Sequence, residues 1–360
     1  MLSTSGQARP ASTNPGAQLG ALTGLRFFAA MYVVLFHSGA AAARAAGLPK
    51  PVLTLLDNGY LGVTFFFVLS GFILRYTYRR SDWTGASLRS FGIARFARIY
   101  PIYILALVAM IPFPTGEGLV WPQILLLQSW FPVSWGAANW NMPAWTLSVE
   151  LLFYLLFPAL ALAAARLPPR ALAAIGLATG LFILVANSSS LAASEQARVL
   201  LLQRVPIPLL RLPEFILGVI LGEAHLRGLR LPGPRRCEWL LAAIITILAL
   251  IESPWAAGIF TLLSAWLIAV VARSESGLAM GFFASRLVVF AGGASYALYL
   301  LQQPVHFASV ALLGESVGRI AQIPLLLLAS AAAFHFIEEP ARRAIRRRLD
   351  SGHRRKALTA

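Results

Sequence analysis

Residues 20–39 read GALTGLRFFAAMYVVLFHSG, an apolar segment of helical length that carries an arginine at Arg26 and a histidine at His37. At 100° per residue, eleven positions make three turns plus about 20°, so both side chains fall on one face of a helix. At 1.5 Å per residue they stand roughly 16 Å apart along its axis, about half the thickness of a bilayer's hydrocarbon. Ionisable groups at such depths are costly and usually face a cavity or a partner. The plainer account is a helix with polar ends, Arg26 snorkelling to one surface. Spacing alone leaves the two accounts level. The run LRFFAAMYVVLF followed by small residues also resembles a signal-peptide core. Against that, the preceding region is long and weakly basic, and Arg26 falls inside the apolar stretch.

The rest of the chain puts this segment in a membrane. Of 360 residues, 58% are hydrophobic and only 12% charged, and the mean hydropathy is +0.71. Soluble domains lie nearer one half apolar and one quarter charged. The formal net charge of +16 does not point to nucleic acid, because the basic residues sit between apolar segments rather than on one soluble face. The single cysteine, Cys237, excludes an internal disulfide framework, and no paired Cys/His spacing suggests a metal site.

A membrane-spanning helix needs about 20 apolar residues, somewhat fewer when anchored at its ends. Ten such spans are expected, at approximately 19–38, 58–76, 97–112, 145–165, 171–187, 206–226, 238–252, 255–272, 287–312 and 320–338. The piece LVWPQILLLQSWF (119–131) is too short to cross. Its tryptophans, with Trp135 and Trp140, fit an interfacial or re-entrant segment. With the N-terminus inside, 24 of the 30 Lys and Arg fall on the inner side, and none lies between residues 99 and 165. That asymmetry predicts both termini in the cytoplasm. The expected organisation is an all-α, polytopic bundle of about ten transmembrane helices. Residues 1–18 form a disordered cytoplasmic tail, 19–340 the membrane domain, and 341–360 a basic cytoplasmic tail drawn to anionic lipid. No internal repeat of the kind that builds many transporters is visible.

TGLRFFAAMYVVLFH is similar to the opening motif of the acyltransferase-3 family of integral membrane O-acyltransferases, in which Arg or Lys, ten residues and His recur. GYLGVTFFFVLSGFIL (59–74), RSFGIARFARIYPIY (89–103), PAWTLSVELLFYLLFP (143–158), RLPEFILGVILG (211–222), SYALYLLQQPV (295–305) and FIEEPARR (336–343) each resemble a further family block, in the family's order and over nearly the whole chain. Several independent blocks at consistent spacing are far more specific than one motif. The resemblance implies transfer of an acyl group, often acetyl, from cytoplasmic acyl-CoA to a hydroxyl. The acceptor would be a cell-surface or extracellular polysaccharide or, in some members, a small secondary metabolite such as a macrolide. It implies no bound cofactor, with acyl-CoA as donor substrate, and a place in the inner membrane of a bacterium.

Chemistry and resemblance together nominate the site. A sugar hydroxyl is a poor nucleophile and needs a general base, usually histidine. His37 is the candidate, from its place in the motif, and Arg26 would orient the donor or hold a partner carboxylate. Glu150, the only acid of the fourth span, is expected to orient His37 in the manner of a triad. Arg95 and Arg98, three apart and so on one helical face, are candidates for the phosphates of CoA. Ser295 and Tyr296 match their block. Gln302 stands where the family usually has histidine, so either the amide serves there or His306, one turn on, replaces the imidazole. Ser70 lacks a nucleophile elbow, so Gly62, Ser70 and Gly71 are expected to serve helix packing. Many members have Asp at the position of Thr64, so an acidic role is absent there. His225 and His335 read as core or interface residues, and Glu338-Glu339-Pro340 as a helix end. The intramembrane Arg, His and Glu would also suit a transporter's relay. A non-catalytic scaffold would give no reason for Arg26 and His37 on one face.

Overall fold

The computed structural model describes residues 15–113, 120–131, 140–188, 205–229, 237–252, 255–274 and 277–345, and among these every regular element is helical. In chain order the helices are α1 (Pro15–Ser38), α2 (Ala40–Ala45), α3 (Lys50–Asp57), α4 (Gly62–Thr77), α5 (Gly85–Met110), α6 (Val120–Ile124) and α7 (Trp145–Arg166). There follow α8 (Pro169–Ser188), α9 (Ile207–Leu226), α10 (Glu238–Leu250), α11 (Trp255–Val271), α12 (Leu278–Phe283), α13 (Arg286–Leu313) and α14 (Glu315–Ala333). A π-helical turn, Phe334–Glu338, continues α14 without a break. The N-terminal segment before residue 15, Trp135 and the basic tail beyond residue 345 lie outside the described residues.

Each expected span coincides with a helix. Six stretches are long and apolar enough to cross a bilayer: Gln18–Ser38, Lys50–Thr77, Gly85–Met110, Met142–Arg166, Pro169–Asn187 and Glu315–Ile345. The helices α10 and α11 are apolar but shorter. Helix α9 carries Arg211, Glu214 and Glu223, and α13 carries buried Ser295, Tyr296 and Gln302. These polar groups turn inward, which a bundle tolerates better than a lipid-facing surface. The molecule is a multi-pass membrane protein. Its outer faces are apolar, as Leu155, Leu177, Leu328 and Phe336 illustrate, each about 70% exposed or slightly more.

Two boundaries differ from expectation. Helix α5 starts at Gly85, twelve residues before the predicted 97, because Thr84 caps it by accepting the amide of Ser87 at 3.4 Å. The predicted span at 58–76 enters through a 3-10 turn, Asn58–Leu61, before α4 begins. The Asn58 side-chain amide reaches the carbonyls of Leu248 and Ile251, closing the end of α10 against the α3–α4 junction.

Close backbone approach fixes the centre. Helices α1 and α13 run parallel, and a Cβ on Gly292 would overlap the carbonyl of Thr23. Helices α4 and α9 meet the same way at Gly71 and Gly218, each of which faces the other helix's backbone. Small residues here let main chains touch where larger ones would hold them apart. One core gathers Phe67, Tyr103, Phe153, Phe157 and Phe215 from α4, α5, α7 and α9. A second gathers α10 and α11 against α4.

Candidate active site

A cavity of about 360 Å³ lies among α1, α4, α5, α7, α13 and the residues that follow α14. It brings together six of the nine candidate residues: Arg26, Arg95, Arg98, Glu150, Ser295 and Tyr296. The early start of α5 is what makes this geometry. It places Arg95 and Arg98 in mid-helix, on one face, rather than at a helix end. Arg342 closes the same end of the cavity, while Val63, Phe66, Phe67 and Leu69 form an apolar wall. Ser70 also lines it, whereas Gly71, one residue on, packs against the backbone of α9.

The charge inside is lopsided. Four arginines line the cavity and Glu150 is the only acid that does. Arg26 makes no hydrogen bond or ion pair among the described residues, and its electrostatic neighbours are Arg98, Glu338, Glu150 and Tyr154. Arg95 lies within 6 Å of the rings of Tyr78, Phe91 and Tyr154, which hold its flat cation by their negative faces. Glu150 accepts a hydrogen bond from the hydroxyl of Tyr154, one turn along α7. Arg98 lies 3.9 Å from Glu338 and Arg342 pairs with Glu339, whereas Arg26 and Arg95 form no ion pair among the described residues. Guanidinium groups so placed, facing a space of this size, form a ready site for an anion. Among the described residues no group of three or more His, Cys, Asp or Glu can hold a metal ion.

His37 stands apart from the cavity. Its Nδ1 is 3.1 Å from Oε1 of Gln302 on α13. The Gln302 amide donates through Nε2 to the Tyr299 carbonyl at 2.7 Å, which fixes which end of the amide faces the imidazole. A carbonyl oxygen only accepts, so the His37 proton sits on Nδ1 and Nε2 keeps its lone pair. The expected Glu150–His37 contact is therefore not made: Gln302 occupies the orienting position, and Glu150 faces the arginines. His306 does not take the place of the missing imidazole, because its Nδ1 engages Gln322 of α14 at 2.7 Å. Ser295 donates to the Gly292 carbonyl and Tyr296 to the Ile99 carbonyl, so both are held by backbone at the cavity wall. The two regions are joined through α13. Tyr299 lines the cavity, and Gln302 follows it by three residues, a rise of about 4.5 Å.

Four features escaped the sequence. Tyr154 lies four residues from Glu150 within a block already singled out, and helical i,i+4 spacing was the signal for it. Tyr299 had no distinguishing mark among neighbouring aromatics. Glu338 read as a helix end, yet it is fully buried beside Arg98. Thr64 meets an ion pair from another helix: Arg211 donates to the Thr64 hydroxyl at 2.8 Å, the hydroxyl donates to Glu214 at 3.3 Å, and Arg211 pairs with Glu214 at 3.1 Å. His225 packs against Phe72 and Tyr76, whereas His335 is on the outer surface.

Comparison with known proteins gives a consistent result. Residues 19–336 match the acyltransferase domain family, acyltransferase 3. The chain is 30% identical to acyltransferase MdmB of Streptomyces mycarofaciens, over 92% of this chain and 93% of that protein. It is 29% identical to the exopolysaccharide production protein ExoZ of Rhizobium meliloti, over 82% of this chain and 93% of that protein. Protein 2 in the picA locus of Rhizobium radiobacter is 35% identical over 28% of this chain and 47% of its own length. No solved structure matches significantly. Family blocks in order, a match across the membrane domain and full-length relatives agree: the chain belongs to the acyltransferase-3 family of O-acyltransferases.

Proposed function

We propose that this enzyme moves an acyl group, acetyl by preference, from cytoplasmic acyl-CoA to a hydroxyl of a cell-surface polysaccharide. The observation that carries the donor assignment is the cavity: four arginines, one of them without a hydrogen bond or ion pair, beside an apolar wall. Phosphates suit the first and a thioester-bearing arm the second. The similarity to ExoZ, named for exopolysaccharide production, supports a polysaccharide acceptor. In this scheme ten helices cross the inner membrane of a bacterium and both termini lie in the cytoplasm.

The chemistry follows from the tautomer of His37. Nε2 takes the proton of the acceptor hydroxyl as its oxygen attacks the thioester carbonyl carbon. The C–S bond then breaks, the acyl group stays on oxygen, and the imidazolium returns the proton to the departing thiolate. Arg26 and Arg98 steer the anionic donor so that its acyl end points along α13 toward His37.

Two measurements test the proposal together. Purified enzyme in liposomes is given radiolabelled acetyl-CoA and polysaccharide, and covalent label on polysaccharide is the expected result. Mass spectrometry of surface polysaccharide from a deletion strain and its parent should show the loss of one acyl substituent. Movement of labelled substrate across the liposome with no covalent product would indicate a transporter instead. Label on a small metabolite, with unchanged polysaccharide, would reassign the acceptor.

A further inference from the structure

We infer that Glu338 is a positioning residue for donor binding: its carboxylate holds Arg98 and Arg26 together at the cavity, aimed there by the π-helical turn that ends in it. The inference rests on the acyl-CoA reading of the cavity and assigns a residue outside its lining. The Glu338 side chain is 0% exposed, and neither carboxylate oxygen has a hydrogen-bond partner. Burial of a carboxylate in that condition is costly unless cations compensate it. Arg98 Nη1 lies 3.9 Å from Oε1, and Arg26 is a further cationic neighbour. The other charged or titratable groups facing it are Arg342, Glu339 and Tyr296.

The two arginines alone would repel each other, since both are half-buried and act on one another electrostatically. One carboxylate behind them removes that repulsion while its loose contact leaves their N–H groups available to a ligand. A tight bidentate pair would consume those donors, and a neutral side chain would let the pair separate.

The backbone supports the same assignment. Single π turns sit inside α-helices as one-residue insertions, often at functional sites. Here the insertion shifts the register of the chain beyond α14 by roughly 100°. Phe336 is left outside the bundle and Glu338 inside it. Glu339, the next residue, pairs with Arg342 and Arg343 at 3.4 and 3.0 Å, a surface role that Glu338 does not share.

Binding of acetyl-CoA to purified full-length enzyme, with steady-state kinetics, tests this. Glu338→Gln should raise the donor KM about tenfold with kcat within about threefold of wild type and the acceptor KM unchanged. Glu338→Asp should fall between. In the Arg98→Ala background, Glu338→Gln should add less than twofold, because its effect passes through Arg98. Equal donor affinity in Glu338→Gln and wild type, or full additivity with Arg98→Ala, would overturn the inference alone. Loss of acceptor and donor kinetics in parallel, with both variants aggregating on size exclusion, would mark Glu338 as purely structural. A wild-type enzyme that binds no acetyl-CoA would overturn the donor assignment and this inference with it.

Discussion

The state of His37 depends on one amide. Gln302 is anchored at its Nε2 by the Tyr299 carbonyl and so presents oxygen to Nδ1. In the proposed mechanism a glutamine performs the orienting task expected of an acidic or imidazole partner, without adding charge to the membrane interior. His37→Ala should therefore lower acyl transfer by about 10²–10⁴-fold, the usual worth of a general base. The protein should still reach the membrane in normal amount, and a transfer rate near wild type in purified His37→Ala would remove the proposed mechanism. Gln302→Leu should cost on the order of tenfold in kcat, the scale of one lost orienting hydrogen bond. Gln302→His should retain most activity, because an imidazole nitrogen can also accept from Nδ1. If Leu and His behave alike in a kcat assay, the tautomer argument fails. The residues of this site were partly legible. Arg26 and His37 announced themselves by charge in an apolar run, and Gln302 by its departure from a family block, but the contact of Gln302 with His37 and the place of Tyr154 became readable only once the helices were packed.

At the scale of elements, α4 and α9 are joined by more than glycine contacts. Glu223 accepts from Arg75 Nε at 2.6 Å and from Arg227 Nε at 2.5 Å. Arg227 goes on to the carbonyls of Leu167, Ala164 and Ala165, filling the acceptors left open at the end of α7. Three helices are thus tied at one end by a single buried acid. Glu223→Ala leaves Arg75 buried and uncompensated, and should destabilise the protein by about 3–5 kcal/mol. A fall in melting temperature of detergent-solubilised protein would show it, while donor KM in the surviving folded fraction stays unchanged. The opposite pattern, a stable protein with altered KM, would move this triad into the functional site. Helix existence was readable from apolar runs, as the coincidence of α1, α7 and α13 with their predicted spans shows. Helix ends were not. The start of α5 is set by a Thr84 cap beyond the apolar stretch, and the π turn after α14 leaves no mark in composition. On the far side of the bundle, Glu252 is exposed, and hydrogen bonds from Thr54 and Lys50 hold its carboxyl below the usual carboxylate range. A carboxyl with a depressed folded value stabilises above its unfolded value and loses that contribution as pH falls through the folded one. Contact between α3 and α10 should therefore loosen only under acid, and hydrogen exchange of Asn58 measured against pH would reveal it.

For the whole molecule, sidedness links charge placement to reaction direction. Of the 30 Lys and Arg, 24 fall on the side taken as cytoplasmic, and the proposed topology sets the cavity's arginines toward that side. Thr77 at the end of α4 and Ile345 beyond the π turn line the cavity along with the first half of α1 at Arg26. His37 lies at the other end of α1, eleven residues and roughly 16 Å further on. In the proposed scheme donor site and base are therefore set at two depths of one bundle, with Tyr299 and Gln302 between them on α13. Acyl-CoA is large, anionic and does not cross a bilayer unaided, so the proposed donor and topology together predict that donor is accepted from one face only. Inside-out membrane vesicles should label acceptor with radioactive acetyl-CoA, whereas sealed right-side-out vesicles should label it at least tenfold less. Detergent should restore the missing signal by opening the lumen. Protease should remove an epitope added after Ala360 in inside-out vesicles alone, because the basic C-terminal end is assigned to the cytoplasm. Equal labelling of both sealed preparations would break the link between arginine asymmetry and donor access. An epitope cut only in right-side-out vesicles would invert the topology and place the arginine-lined cavity outside the cell, where no acyl-CoA pool would reach it.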